Sequence, residues 1–267
     1  MEPSPFFADG VPRGKADFFR VQPRLISLDF DGTLAPIAPT PDAASMPGVF
    51  RRVLRRLTRL KATRITILSG RSLPDLKRKV RMEGIILVGN HGLAFDPGAL
   101  GWGRTATARW SGTAREVCER LRPLLKQWPG ALLEAKGPDV SLHYRRAHPE
   151  DTRRLLPEVF RLLEGLPLEP RHGKCVLEFR PKGAPDKGDA LERLAVRFLK
   201  GKPSRGACFH VGDDRTDEDA FRALRRMERP ALGLRVGAGP SRAHYRLRNT
   251  FEVLQFLNLF KDPDDGG

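Results

Sequence analysis

The sequence predicts an α/β protein, a mostly parallel sheet between helices with an α+β unit inserted into it. Three observations carry this expectation. Short apolar runs alternate with helix-period segments near both ends of the 267-residue chain. The middle of the chain instead pairs strand-like segments around turns. The apolar runs end in carboxylates or hydroxyls, where a parallel sheet opens its crevice.

The elements follow in order. RLISLDF (24–30) is apolar, has β-branched support and stops at Asp-Gly, so it reads as a buried strand. Val49, Val53, Leu54, Leu57 and Leu60 recur at helical spacing behind Pro47, which predicts a helix over 48–61. TRITILSG (63–70) is a second strand, SLPDLKRKVR (72–81) a helix capped by Ser72, and GIILVGN (84–90) a third strand. After a loop rich in Gly, Asp and Pro (95–105), a helix is expected from Ser111 to Trp128. ALLEAKG (131–137) and VSLHYRRA (140–147) read as a hairpin around Gly137-Pro138-Asp139. A helix near 150–165 follows, then the strand pair LEPRH (168–172) and KCVLEFRP (174–181). The alternation resumes with helix 187–199, strand ACFHVGD (207–213), helix 217–227, strand ALGLRVG (231–237) and an apolar helix over 250–260. The tail KDPDDGG is expected to be disordered. The chain thus divides into a discontinuous core, 1–103 with 182–267, and an inserted unit, 104–181.

Composition narrows the class. With 40% hydrophobic and 30% charged residues, a disordered chain is excluded and a packed core is expected. No run approaches the ~18 apolar residues of a membrane span. The N-terminus lacks an apolar stretch long enough for a secretory signal, so a cytoplasmic protein is expected. Three widely spaced cysteines (Cys118, Cys175 and Cys208) exclude a disulfide scaffold and a cysteine zinc site and suit a reducing compartment. The net charge of +16 admits nucleic acid or an anionic substrate as partner. However, 36 of the 48 basic residues are Arg scattered over helix faces, and no nucleic-acid motif accompanies them. A solvated Arg-rich surface is the preferred reading.

Chemistry concentrates at four places. Asp29 and Asp31 end the first strand in DFDGTL, two residues apart and so on one side of an extended chain. Such a pair repels itself unless a cation or proton intervenes, which suits a nucleophile and a general acid beside Mg²⁺. GDDRTDED (212–219) ends a later strand with five acids within 213–219. Asp213 and Asp214 stand where a hard cation needs further oxygen ligands, while Thr216 and Asp217 suit helix capping. Ser69-Gly70-Arg71 offers a hydroxyl and a helix start for a phosphate. Lys187-Gly188 opens a helix.

The order DFDGTL, SGR, KG, GDD resembles the haloacid-dehalogenase-like (HAD) phosphohydrolase superfamily. The resemblance implies a HAD-like Rossmannoid core with a C2-type cap. It implies that Asp29 forms an aspartyl-phosphate, that Asp31 protonates the leaving alkoxide and then activates water, and that Ser69 and Lys187 hold the phosphoryl group. It also implies that Asp29, the Asp31 carbonyl and Asp213 ligate Mg²⁺, with Asp214 behind them. Within the insertion, Glu134-Ala-Lys136, Ser141-Leu-His143-Tyr144-Arg145 and Gly173-Lys174 through Pro181 are similar to the trehalose-6-phosphate phosphatase family. So is Gly89-Asn90-His91-Gly92-Leu93. The family pattern implies substrate contacts from Arg71, Asn90, His91, Glu134, Lys136, Arg145, Lys174 and Glu178. It further implies a sugar phosphate as substrate and functional coupling to trehalose-6-phosphate synthase. Sucrose 6-phosphate or mannosyl-3-phosphoglycerate remain alternative substrates, and a nucleic-acid-binding module on the same scaffold is an alternative of another class. Residues 1–23 match no motif.

Overall fold

A computed structural model describes residues 1–8, 16–96, 105–136, 138–173, 175–199 and 206–262. The chain forms two compact units, Met1–Gly101 with Pro185–Gly267, and Trp102–Ala184.

The first unit is a seven-stranded sheet. Its strands are β1 (Arg24–Leu28), β2 (Thr63–Leu68), β3 (Ile85–Gly89), β4 (Ala94–Phe95), β9 (Ala207–Gly212), β10 (Ala231–Val236) and β11 (Tyr245–Leu247). They lie in the order β11-β10-β9-β1-β2-β3-β4, all parallel except the short β4. From β1 the chain winds outward through β2 and β3; after the insertion it returns to β9 on the other side and winds the opposite way. The switch therefore falls between β1 and β9, where an open α/β sheet leaves a crevice beyond its strand ends. Helices α1 (Gly48–Leu57), α2 (Leu73–Val80), α5 (Lys187–Phe198), α6 (Asp217–Arg226) and α7 (Thr250–Leu257) connect the strands. β1 is buried at all five positions, as a strand covered on both faces must be. Ser72 caps α2 through the Asp75 amide, as expected.

The N-terminal arm, unassigned in sequence, belongs to this core. Phe6 and Phe19 are buried and pack edge-on with Phe256, while Phe19 also stacks on Phe209 and meets Phe260 edge-on. Backbone hydrogen bonds of 2.8–2.9 Å tie Phe6 and Ser4 to Arg246 of β11. The fully buried Arg24 binds Thr63 Oγ1 and the carbonyls of Phe19 and Lys261, so one guanidinium clamps the arm, β2 and the C-terminal segment. The tail is thus fixed as far as Lys261 and Asp262, with Asp262 accepting the Lys61 amide; residues 263–267 lie outside the described residues.

The second unit packs α3 (Thr105–Leu125) and α4 (Pro149–Leu162) on an antiparallel sheet. Its strands are β5 (Leu132–Lys136), β6 (Asp139–His143), β7 (Leu168–Gly173) and β8 (Val176–Pro181), in the order β5-β6-β8-β7. Both expected hairpins form. Val140, Leu142, Leu177 and Phe179 turn to the helices and meet Val117, Leu121, Leu155 and Val159. Alternation then puts Glu134, Ser141, Glu178 and Arg171 in one cross-strand row on the opposite face.

Candidate active site

The centre is built where β1, β9 and α5 meet. The apolar β1 delivers Asp29 to its carboxyl end, 5% exposed. Lys187, the first residue of α5, is 1% exposed and donates to Asp29 Oδ1 at 2.8 Å and to Asp217 Oδ1 at 2.7 Å. Asp186 caps that helix in a reciprocal capping box with Asp189, which holds the turn carrying Lys187. Asp213 follows β9. One oxygen each of Asp29, Asp213 and Asp217 lies within 4.8 Å of the others.

Two glycines make this approach possible. A Cβ on Gly32, at φ +70°, would fall 1.9 Å from Asp213 Oδ2, and one on Gly212 would fall 2.1 Å from Asp217 Cγ. The Gly of the DFDGTL segment is therefore required both by its left-handed backbone and by the carboxylate lying against it.

The charges explain one another. Asp217 is fully buried, and Lys187, His210 Nε2 (2.9 Å) and the Asp214 amide (3.0 Å) all donate to it. Burial opposes its ionisation, but Lys187 and His210 overcome that and hold its pKa well below the usual carboxylate range. Burial likewise pulls Lys187 down, and Asp217 and Asp29 outweigh it, so the ammonium is held above its ordinary value. Among the described residues, Asp29 has only its share of that one ammonium. Burial pushes its carboxyl well up, and Asp217 and Asp213 add to the effect against Lys187. Burial, with Asp217 and Asp214, pushes Asp213 up to about 7. Three carboxylates against one ammonium leave two negative charges in excess. An all-oxygen site with that deficit fits a hard divalent cation. Because Asp217 spends both oxygens on protein donors, Asp29 and Asp213 are the side-chain ligands this cluster offers.

Asp31 stands apart from that cluster. Arg71 grips it with two bonds of 2.7 Å and reaches Asp75 at 2.6 Å with its remaining nitrogen. Ser69, 1% exposed at the end of β2, accepts the Arg71 amide on its hydroxyl. Asn90 is buried at φ +52°, and His91 lies over Gly70, where a Cβ would come within 2.3 Å of its ring.

The fit to sequence expectation is uneven. Asp29, Lys187 and Asp213 come together, with Ser69 and Arg71 at the neighbouring strand end. The Asp214 side chain is exposed, and it is Asp217 that stands behind the cluster. Thr216 occupies the N-cap position of α6 without a capping side-chain bond. His210 and Asp217 were missed as site residues. The available signal was a His and a Ser embedded in otherwise apolar strands.

In the second unit, Glu134 Oε2 meets His143 Nε2 at 2.9 Å and Glu178 is half-buried. Arg145 is exposed in the turn after β6. Lys136 ends β5 in register with Asp139, and Lys174 lies outside the described residues.

The trehalose-phosphatase family model matches residues 27–250. The trehalose-6-phosphate phosphatase of Escherichia coli K12 is 31% identical over 236 residues, covering 87% of this chain and 84% of that protein. An uncharacterized glycosyl hydrolase of Mycobacterium tuberculosis is 34% identical over 242 residues, but the chain spans only 18% of its length. The C-terminal domain of Candida albicans trehalose-6-phosphate phosphatase superposes with a TM-score of 0.76 at 26% identity, over 92% of this chain and 94% of that one. With the family model spanning both halves of the core and the insertion between them, this chain belongs to the trehalose-phosphatase family.

Proposed function

We propose that the chain hydrolyses trehalose 6-phosphate to trehalose and inorganic phosphate with Mg²⁺ as cofactor. The observation that carries the reading is the buried Asp29–Lys187–Asp217 triad with Asp213 beside it. Asp29, Asp213 and the Asp31 carbonyl would hold Mg²⁺, which would supply the positive charge that the phosphoryl oxygens and carboxylates require.

The residues divide the work. Lys187 occupies Asp29 Oδ1, which leaves Oδ2 to attack phosphorus. The sugar oxygen leaves with a proton from Asp31. Asp31 then takes a proton from the water that attacks the aspartyl-phosphate, and Asp29 is released. Arg71 holds both Asp31 oxygens in this structure, so that pair opens and Asp31 takes up a proton from solvent before it can serve the leaving oxygen. Ser69 and Arg71 line the adjacent strand end and suit phosphoryl oxygens. The second unit serves as the cap. Its polar row through Glu134 and Glu178, with Lys136, Arg145 and Lys174, recognises the sugar hydroxyls. Asn90 and His91 complete the substrate contacts.

Free Cys118, Cys175 and Cys208 fit a reducing, cytoplasmic setting, and the substrate class couples the enzyme to trehalose-6-phosphate synthase. Among the described residues no helix is long and apolar enough to cross a membrane. The test is phosphate release from trehalose 6-phosphate, sucrose 6-phosphate, glucose 6-phosphate and p-nitrophenyl phosphate, with and without EDTA. A metal-dependent preference for trehalose 6-phosphate is expected. Release from the aryl phosphate alone would overturn the sugar assignment.

A further inference from the structure

One buried polar pair beneath the triad has no part in the chemistry described above. His210 lies within β9, fully buried, in register with Ser27 of β1. Its Nδ1 is 2.9 Å from Ser27 Oγ, and its Nε2 is 2.9 Å from Asp217 Oδ1. A carboxylate oxygen only accepts, so Nε2 must carry the hydrogen; the Ser27 hydroxyl can serve the other nitrogen as donor or acceptor. Asp217 Oδ1 is the same oxygen that binds Lys187, and Lys187 in turn holds Asp29. Five side chains from β1, β9, α5 and α6 thus form one chain of bonds: Ser27, His210, Asp217, Lys187, Asp29.

We propose that His210, braced by Ser27, is a positioning residue that fixes Asp217 Oδ1 and through it the place of the Lys187 ammonium against the nucleophile. Two carboxylates compete for one ammonium, and the balance depends on how much of Asp217 is satisfied by other donors. The Asp214 amide serves Oδ2. Among the described residues, only His210 and Lys187 are seen donating to Oδ1. Removal of the His210 N–H would draw Lys187 toward Asp217 and strip neutralising charge from Asp29. Ser27 bonds one ring edge and Phe221 lies 5.5 Å from the ring centroid, so the imidazole is oriented rather than free to turn.

This inference rests on the phosphatase reading of the triad, and the experiment separates the two. His210→Gln places an amide N–H near the Nε2 position, whereas His210→Asn is similarly polar but too short to reach Asp217. Both are assayed with Mg²⁺ on trehalose 6-phosphate and p-nitrophenyl phosphate, with rates corrected for the folded fraction from thermal melts. His210→Asn should lower kcat about tenfold or more with KM unchanged, and His210→Gln should restore it to within about threefold. Equal losses in the two variants would overturn the proposal. Should both variants unfold, ¹⁵N-histidine NMR of the wild-type chain still decides. The His210 signal, assigned from the Ser27→Ala spectrum among the six histidines, should show hydrogen on Nε2. Nε2 without hydrogen would refute the bond to Asp217. A wild-type chain inactive on every phosphate would sink the phosphatase reading while leaving that measurement intact.

Discussion

The strand-end centre of the core and the polar face of the inserted sheet both collect carboxylates and cations, and they handle them in opposite ways. In the core, Asp29, Lys187 and Asp217 are almost fully removed from water, and each charge is held by partners from other elements at 2.7–2.8 Å. In the insertion, Glu134 meets His143, its diagonal neighbour on the adjacent strand, at 2.9 Å, and the two side chains are 43% and 38% exposed. Dry, crowded charge raises the pKa of Asp29 and Asp213 and creates a demand for a cation. Half-wet charge makes no such demand. It stays solvated until something with hydroxyl groups replaces the water. Chemistry on a phosphoryl group needs the first arrangement, and recognition of an uncharged polyol suits the second.

The contrast is sharpened by substitutions on either side of it. The largest effect is expected from Asp29→Asn, which should lower phosphate release by about 10⁴-fold or more on every substrate, as loss of a nucleophile does. Its melting temperature should hold or rise, since one of the mutually repelling carboxylates is gone. Retained turnover would remove Asp29 from the chemistry. Glu178→Ala comes next. Loss of one charged hydrogen bond to the sugar should cost about 2 kcal/mol, or roughly thirtyfold in kcat/KM for trehalose 6-phosphate. Hydrolysis of p-nitrophenyl phosphate should barely change, and matching losses on both substrates would break the division of labour between the two regions.

The smallest effect is one of pH. Asp213 holds its proton up to about pH 7 in the metal-free protein, so a cation must displace it below that value. Mg²⁺ affinity, measured by calorimetry, should weaken at least about tenfold per pH unit below 7, because Asp213 and the likewise raised Asp29 must both be deprotonated to bind it. For stability the sign is opposite. A carboxyl raised in the folded state binds a proton that the unfolded chain has already released. Its contribution to metal-free stability is therefore complete below about pH 4 and lost as the pH climbs through 7. A flat affinity between pH 6 and 8 would show that Asp213 is not the ligand.

Much of the core site was legible because its residues sit at positions that a sequence displays. Asp29 and Asp213 end apolar runs, Ser69 precedes a helix, and Lys187 opens one. Helix 48–61 ends early, at Leu57, because the chain must turn at Thr58 and Ala62, the latter at φ +47°, to enter β2. Asp217 was less legible. At the start of an acidic helix it looks like a cap, and only the approach of Lys187, thirty positions away in sequence, and of His210 from β9 turns it into an anchor. The N-terminal arm was not legible at all. Phe6 and Phe19 carry no periodicity, and their partners Phe209, Phe256 and Phe260 lie near the other end of the chain.

The amino-acid sequence by itself determined the alternation of strands and helices, the polar and apolar faces of the inserted sheet, and the carboxylates at the strand ends. Each of these is a local property, since hydrophobic period and turn chemistry act over a few residues. Only the tertiary structure decided which carboxylates share Lys187, that Ser27 and His210 meet across two strands far apart in sequence, and that Arg24 clamps both ends of the chain. Those outcomes depend on strand order and register, which bring distant residues within 3 Å, and on burial, which makes each buried charge seek whatever partner that packing supplies.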